Sequence, residues 1–312
     1  MKRVLILLLC LLLLTGCGAE DMKENPVPAE GSITFTDDLG RQVSLPPPER
    51  VAALIGSFAD IWCLAGGAET LAAAAHDAWT SFDLNLGGDT ADLGAVKEPN
   101  LEVLLAAEPD LILASCNTAA NLELMPTFEK LGIPVAYFDI QHFEDYLRML
   151  KVCTTLTDCP ENYEMYGETV MEQVEAAKAR SDGSEPKILC LRATGSGCKA
   201  KGSVDNLLGE MLADLGCVNV ADTESALLEN LSLEAIIQSD PDYIFAVLQG
   251  SDPTDARAAL EQTLLTNPAW EHLRAVQNEK FHTLDHRLYN LKPNARWGEA
   301  YEALADILYP TS

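Results

Sequence analysis

Apolar positions along the chain change period several times. Residues 33–45 (ITFTDDLGRQVSL) alternate about Asp38-Leu39-Gly40, which predicts a β-hairpin, and Pro46-Pro47-Pro48 ends it. Beyond it, short apolar runs alternate with helical spacing. Strands are expected over 51–55, 71–75, 111–114 and 135–138, and helices over 58–65, 102–107 and 125–131. Pro160 opens the longest helical stretch, reaching about residue 181, with Asp158 as its expected N-cap and Gly183 as its stop. At 1.5 Å per residue such a helix is ~30 Å long. The alternation then resumes with strands over 187–191, 243–248 and 281–284 and helices over 207–215 and 260–265. A β-α alternation of this kind implies parallel sheets covered by helices.

The two halves echo each other. LEVLLAAEPDLIL, from Leu101, parallels LEAIIQSDPDYIF, from Leu233. Each is an acid-bearing helix, a Pro-Asp break and a strand. In the same order, PTFEKL from Pro126 parallels PAWEHL from Pro268. The expected fold class is therefore α/β: two lobes with central parallel-type sheets flanked by helices, joined by a single long helix. The expected boundaries are 1–16 for a signal peptide, 17–31 for a tether, 32–157 for the N-terminal lobe, 158–184 for the connecting helix and 185–312 for the C-terminal lobe.

The N-terminus sets the expected compartment. Lys2 and Arg3 precede an apolar run over 4–14, too short to span a bilayer and typical of a secretory signal. Leu14-Thr15-Gly16-Cys17 resembles a bacterial lipobox, in which the cysteine is acylated and becomes the first mature residue. Residues 18–31 (GAEDMKENPVPAEG) then read as a polar tether. No later segment approaches transmembrane length, so the body is expected to be soluble and anchored to the outer face of the cell membrane by its lipid.

Charge narrows the partners. A formal net charge of −27 argues against nucleic acid, whose phosphates need cations. Of nine cysteines, Cys10 leaves with the signal and Cys17 takes the lipid, which leaves seven. They form no C-x-x-C and no metal spacing. Cys63 and Cys190 sit in apolar runs as small hydrophobes, while a local Cys153–Cys159 pair stays open.

Across residues 31–310 the chain resembles the ABC-importer binding proteins for iron–siderophores, haem and vitamin B12. The resemblance rests on ITFTDDLGRQVSL, ERVAALIGSFADIWCLAGG, DLGAVKEPNLEVLLAAEPDLIL, LGIPVAYFD and NPAWEHLRAVQNEKFHTLD. It implies a ligand held between two lobes, a rigid helix that limits closure, a monomer, and delivery to a permease dimer with its ATPase. It also implies that one surface glutamate per lobe meets arginines of the permease. Glu102 and Glu234, in the matching Leu-Glu steps, fit that role, and each is equally a favourable first-turn acid.

Candidate ligand residues follow from charge. Residues 186–204 and 286–298 contain Lys187, Arg192, Lys199, Lys201, Arg287, Lys292 and Arg296 and no Asp or Glu. Both stretches lie at expected strand ends, where ligands meet open α/β sheets. Acid-free cationic loops there would focus field on an anion. Arg192, Lys199, Lys201, Arg287 and Arg296 are the expected contacts, with Trp79 and Tyr289 as apolar walls. His142, His286 and Tyr289 are the axial candidates if the cargo is haem. Enzyme signatures are poor: Gly195-Ser196-Gly197-Cys198-Lys199 lacks the ending of a phosphate loop and reads as a flexible loop, and neither His-Glu-x-x-His nor Gly-x-Ser-x-Gly occurs. The expected function is capture of an iron chelate, siderophore or haem, without a cofactor of its own. A corrinoid ligand is the alternative, and an extracellular enzyme on the same scaffold is a further one.

Overall fold

The computed structural model describes residues 31–204, 206–229, 231–250 and 253–310. Cys17, the apolar leader and nearly all of the tether lie outside the described residues. Among those described, the chain opens with an antiparallel hairpin of β1 (Ile33–Thr36) and β2 (Gln42–Leu45). Asp37, 3 % exposed, fastens it to the body. Its carboxylate accepts the Leu39, Arg41 and Tyr137 N–H groups at 3.1, 2.9 and 3.2 Å and pairs with the Arg41 guanidinium at 2.6 Å. The hairpin so covers a sheet edge that would otherwise be open.

The first sheet contains β3 (Val51–Ala53), β4 (Leu71–Ala74), β5 (Ala91–Asp92), β6 (Leu111–Ser115) and β7 (Val135–Phe138), all parallel, in the order β5-β4-β3-β6-β7. The second contains β8 (Lys187–Thr194), β9 (Gly197–Lys201), β10 (Val218–Asn219), β11 (Tyr243–Leu248) and β12 (Phe281–Leu284). Its parallel order is β10-β8-β11-β12, with β9 antiparallel on β8. Strands β6 (LILAS) and β11 (YIFAVL) are buried at every residue, as parallel strands covered on both faces must be. Strand order reverses between β3 and β6 and again between β8 and β11. Such reversals open crevices at the carboxyl ends of the strands.

The connecting helix runs unbroken from Pro160–Tyr163 through a wider turn, Glu164–Glu168, into Thr169–Lys178. Its 19 residues span about 28 Å. Asp158 is not its cap. That residue turns the chain with φ 55°, Cys159 holds the N-cap position without a side-chain bond, and Pro160 presets the first helical φ. The helix also stops at Lys178, short of Gly183. A further helix, Phe143–Leu156, precedes it and was not expected, although Phe143, Tyr146, Leu150 and Cys153 recur at helical spacing. The cysteines among the described residues are all free, Cys153 and Cys159 included.

One apolar core serves both lobes. Phe58, Trp62 and Tyr146 from the first, Ile188 and Phe245 from the second, Val170 and Val174 from the connecting helix, and Trp297 and Leu304 from the last helix form a single cluster. The outer face of each sheet has its own cluster. The last helix, Trp297–Leu308, lies on the connecting helix so closely that a Cβ on Gly298 would stand 2.1 Å from Gln173 Oε1. Arg180 ties the two ends together through Asp306 and the Tyr309 carbonyl, both at 2.7 Å.

Candidate functional site

The segment over 195–199, expected to be a flexible loop, forms the turn and most of the return strand of a hairpin. Thr194 faces Gly197 across the two-residue turn Gly195-Ser196, and Arg192 faces Lys199. Since side chains alternate along a strand, Arg192, Lys199 and Lys201 share one face. Neighbours on that face include Cys190 of the shared core, whereas Leu191, Ala193 and Ala200 on the other face enter the outer core. The hairpin thus gathers three expected cations. Burial pushes the Arg192 guanidinium below its usual pKa. Burial, then the charges of Arg192 and Lys199, do the same to Lys201. Among the described residues none of the three forms an ion pair.

The chain between β12 and the last helix is docked onto the first lobe. Arg287 ion-pairs with Asp83, and the Lys292 ammonium donates to the Ile140 carbonyl. Asn294 Nδ2 donates to the Ser57 carbonyl at 3.0 Å and to Asp60 Oδ2 at 2.7 Å. His142 and Glu210 make a further bridge at 2.9 Å. Burial raises the pKa of Asp60, although the Asn294 amide opposes the shift. Burial lowers that of Lys292, against the pull of Asp139, Asp145 and Glu210. Asp60, Asp83, Phe82, Arg287, Lys292 and Arg296 line a pocket of about 260 Å³ along this seam.

The expected residues separate accordingly. Trp79 is half-buried on the short helix Asp77–Thr80, leaning on the core just before the pocket-lining Ser81–Asp83 segment. Arg287 and Arg296 reach the pocket but are already paired, Arg287 with Asp83 and Arg296 with Glu299 at 2.7 Å. The acid-free stretch holds in sequence and fails in space for these two. Tyr289 is corrected outright: it is 3 % exposed and its hydroxyl donates to the Ala300 carbonyl at 2.9 Å, so it is core and offers no wall. His142 is engaged by Glu210, and His286 stands 3.7 Å from Asp285. Glu102 and Glu234 are both exposed in first turns. Sequence reasoning missed Asp60, Asp83, Asn206 and Asn294. The only advance sign was the position of Asn206 directly before a helix pattern.

The family model described as "Periplasmic binding protein" matches residues 51–288. The Fe(3+)-citrate-binding protein YfmC of Bacillus subtilis is 24% identical over 290 residues, which is 90% of this chain and 87% of that protein. The high-affinity heme uptake system protein IsdE of Staphylococcus aureus is 23% identical over 227 residues, 71% of this chain and 75% of its own. The structure of the TroA-like periplasmic binding protein FepB from Veillonella parvula superposes with a TM-score of 0.71 at 17% identity, covering 89% of this chain and 90% of that one. At such identity the likeness speaks to the fold, two α/β domains with a connecting helix. With most of its length matched by the family model and that fold observed, the chain belongs to the periplasmic binding protein family.

Proposed function

We propose that this chain is an extracytoplasmic solute-binding lipoprotein of an ABC importer, and that it captures an anionic iron chelate between its lobes. The observation that carries this reading is the hairpin face of Arg192, Lys199 and Lys201, three cations without an ion-pair partner among the described residues of a chain with a net charge of −27. A ligand bringing carboxylate or catecholate oxygens supplies the missing counter-charge through charge-assisted hydrogen bonds. Trp79 contributes apolar surface from the first lobe. Family membership implies an extracytoplasmic location. Acylation of Cys17, a monomeric state, a lobe boundary at 157 and 185, and docking of Glu102 and Glu234 on the permease dimer complete the reading, with binding in place of catalysis.

Within it, a compact ferric chelate is favoured over haem. Two of the three axial candidates are occupied, Tyr289 by the Ala300 carbonyl and His142 by Glu210. Native mass spectrometry with ferric citrate, ferric siderophores, haem and corrinoids tests the reading, and the membrane-extracted chain should carry the lipid mass on Cys17. One-to-one complexes with ferric chelates support it. Binding of a corrinoid alone transfers the function to the alternative.

A further inference from the structure

The Arg192 guanidinium meets an amide where an acid-rich protein would be expected to offer a carboxylate. Its Nη2 donates to Asn206 Oδ1 at 3.0 Å, and Asn206 Nδ2 donates to the Gly202 carbonyl at 3.4 Å. Asn206 is 5 % exposed and occupies the N-cap position of the helix Leu207–Asp214. Asn and Asp serve about equally well at an N-cap. Here the side chain makes no capping bond and is turned to Arg192 instead. The helix comes this close because residue 209 is glycine: a Cβ there would stand 2.2 Å from the Gly202 carbonyl oxygen.

Two carboxylates of this region have other partners. Asp222 accepts the Ser203 N–H at 2.8 Å, and Glu210 pairs with His142. A second amide, Asn219, donates to the Lys201 carbonyl at 2.8 Å. With 48 acidic against 21 basic residues in the chain, a half-buried arginine held, among the described residues, by a neutral group alone is a chemical choice with consequences. An aspartate would orient Arg192 equally well, but it would also neutralise it. A neutral acceptor orients the fork and leaves the full charge, partly stripped of water, to whatever enters the cleft.

We propose that Asn206 is a positioning residue that fixes the Arg192 fork without compensating its charge, so that the cleft selects ligands with a formal negative charge over neutral ones of similar size. This rests on the anion-binding reading above and names the property by which the site discriminates.

The test compares wild type with Asn206→Asp, Asn206→Ala and Arg192→Gln. Ferric citrate is the anionic probe and cyanocobalamin the neutral one, titrated by tryptophan fluorescence between about 20 and 300 mM salt. Thermal melts confirm that each variant folds. Asn206→Asp should weaken ferric citrate binding about 10- to 100-fold and flatten its salt dependence, as Arg192→Gln does. Asn206→Ala, which loosens the fork but spares the charge, should lose less and keep the wild-type salt slope. If Arg192→Gln weakens binding while Asn206→Asp behaves like Asn206→Ala, the role of Asn206 is overturned and the anion reading stands. If Arg192→Gln binds ferric citrate as wild type does, or wild type prefers the neutral probe, the anion reading itself falls.

Discussion

Asp110 and Asp242 perform the same task in the two sheets. Asp110 accepts the Glu49 and Arg50 N–H groups at 2.8 and 3.0 Å and returns its own N–H to the Arg50 carbonyl at 2.9 Å. Asp242 accepts the Lys187 N–H at 3.0 Å and returns its N–H to the Lys187 carbonyl at 2.8 Å. Each follows a proline that is itself preceded by a residue of positive φ, Glu108 at 47° and Asp240 at 41°. Each therefore locks the start of a central strand to the start of its neighbour, β6 to β3 and β11 to β8.

Replacing either aspartate by alanine removes a charge-assisted clamp on two backbone ends. Asp110→Ala and Asp242→Ala should each destabilise the protein by ~1–3 kcal/mol, measured by urea denaturation monitored by circular dichroism. A loss in one lobe only would mean that the repeat is a likeness of sequence without shared mechanics.

Asn294 is the polar bolt between the lobes. It is wholly buried, has φ 53°, and satisfies both the Ser57 carbonyl and the half-buried Asp60 carboxylate. Asn294→Gly removes the amide while relieving the left-handed backbone. It should still destabilise by ~1–3 kcal/mol, because the buried Ser57 carbonyl and the half-buried Asp60 carboxylate lose their donor. Equal or greater stability in a thermal melt would show that the bolt contributes nothing.

The lowered pKa of Lys201 gives affinity a direction with pH. Burial and two neighbouring cations disfavour its proton in the folded protein, so the unfolded chain binds that proton more tightly. Between the depressed value and 10.5, the value of an ordinary lysine, this group's contribution to folding stability rises with pH. A bound anion restores the proton. Ligand affinity should be full below the depressed value and decline as pH rises through it, and Lys201→Met should remove that decline in titrations at several pH values. A decline that persists in Lys201→Met assigns it elsewhere.

Glu102 and Glu234 each stand exposed in the first turn of the repeated helix. Exposed charges of this kind steer association and register more than they add affinity. The double variant Glu102→Ala, Glu234→Ala should bind ligand as wild type does and lose most stimulated ATP hydrolysis by the reconstituted importer. Undiminished stimulation would return both to the role of ordinary first-turn acids.

The repeat and the alternating strands were legible because their signals are local: a Pro-Asp break, a period of two, a proline at a helix start. The hairpin cations were legible through what the sequence omits over 186–204. The failures have two causes. Asp83 and Arg287 are 204 positions apart, and nothing in the sequence near either announces the other. Glu299, in contrast, lies three residues beyond Arg296, within the reach of a helical turn, just past the end of the acid-free stretch. Tyr289 follows a strand end in sequence, which says nothing of the way its ring faces. Its hydroxyl goes to the helix that follows.

On the proposed reading, the face of β8 and β9 binds an anionic iron chelate. The direct test is the affinity of Arg192→Glu and Lys201→Glu for ferric citrate and ferric siderophores, by fluorescence quenching. Each reversal should cost ~1–3 kcal/mol, about 5- to 150-fold in Kd, with the fold retained. Affinities equal to wild type in both variants would contradict the account.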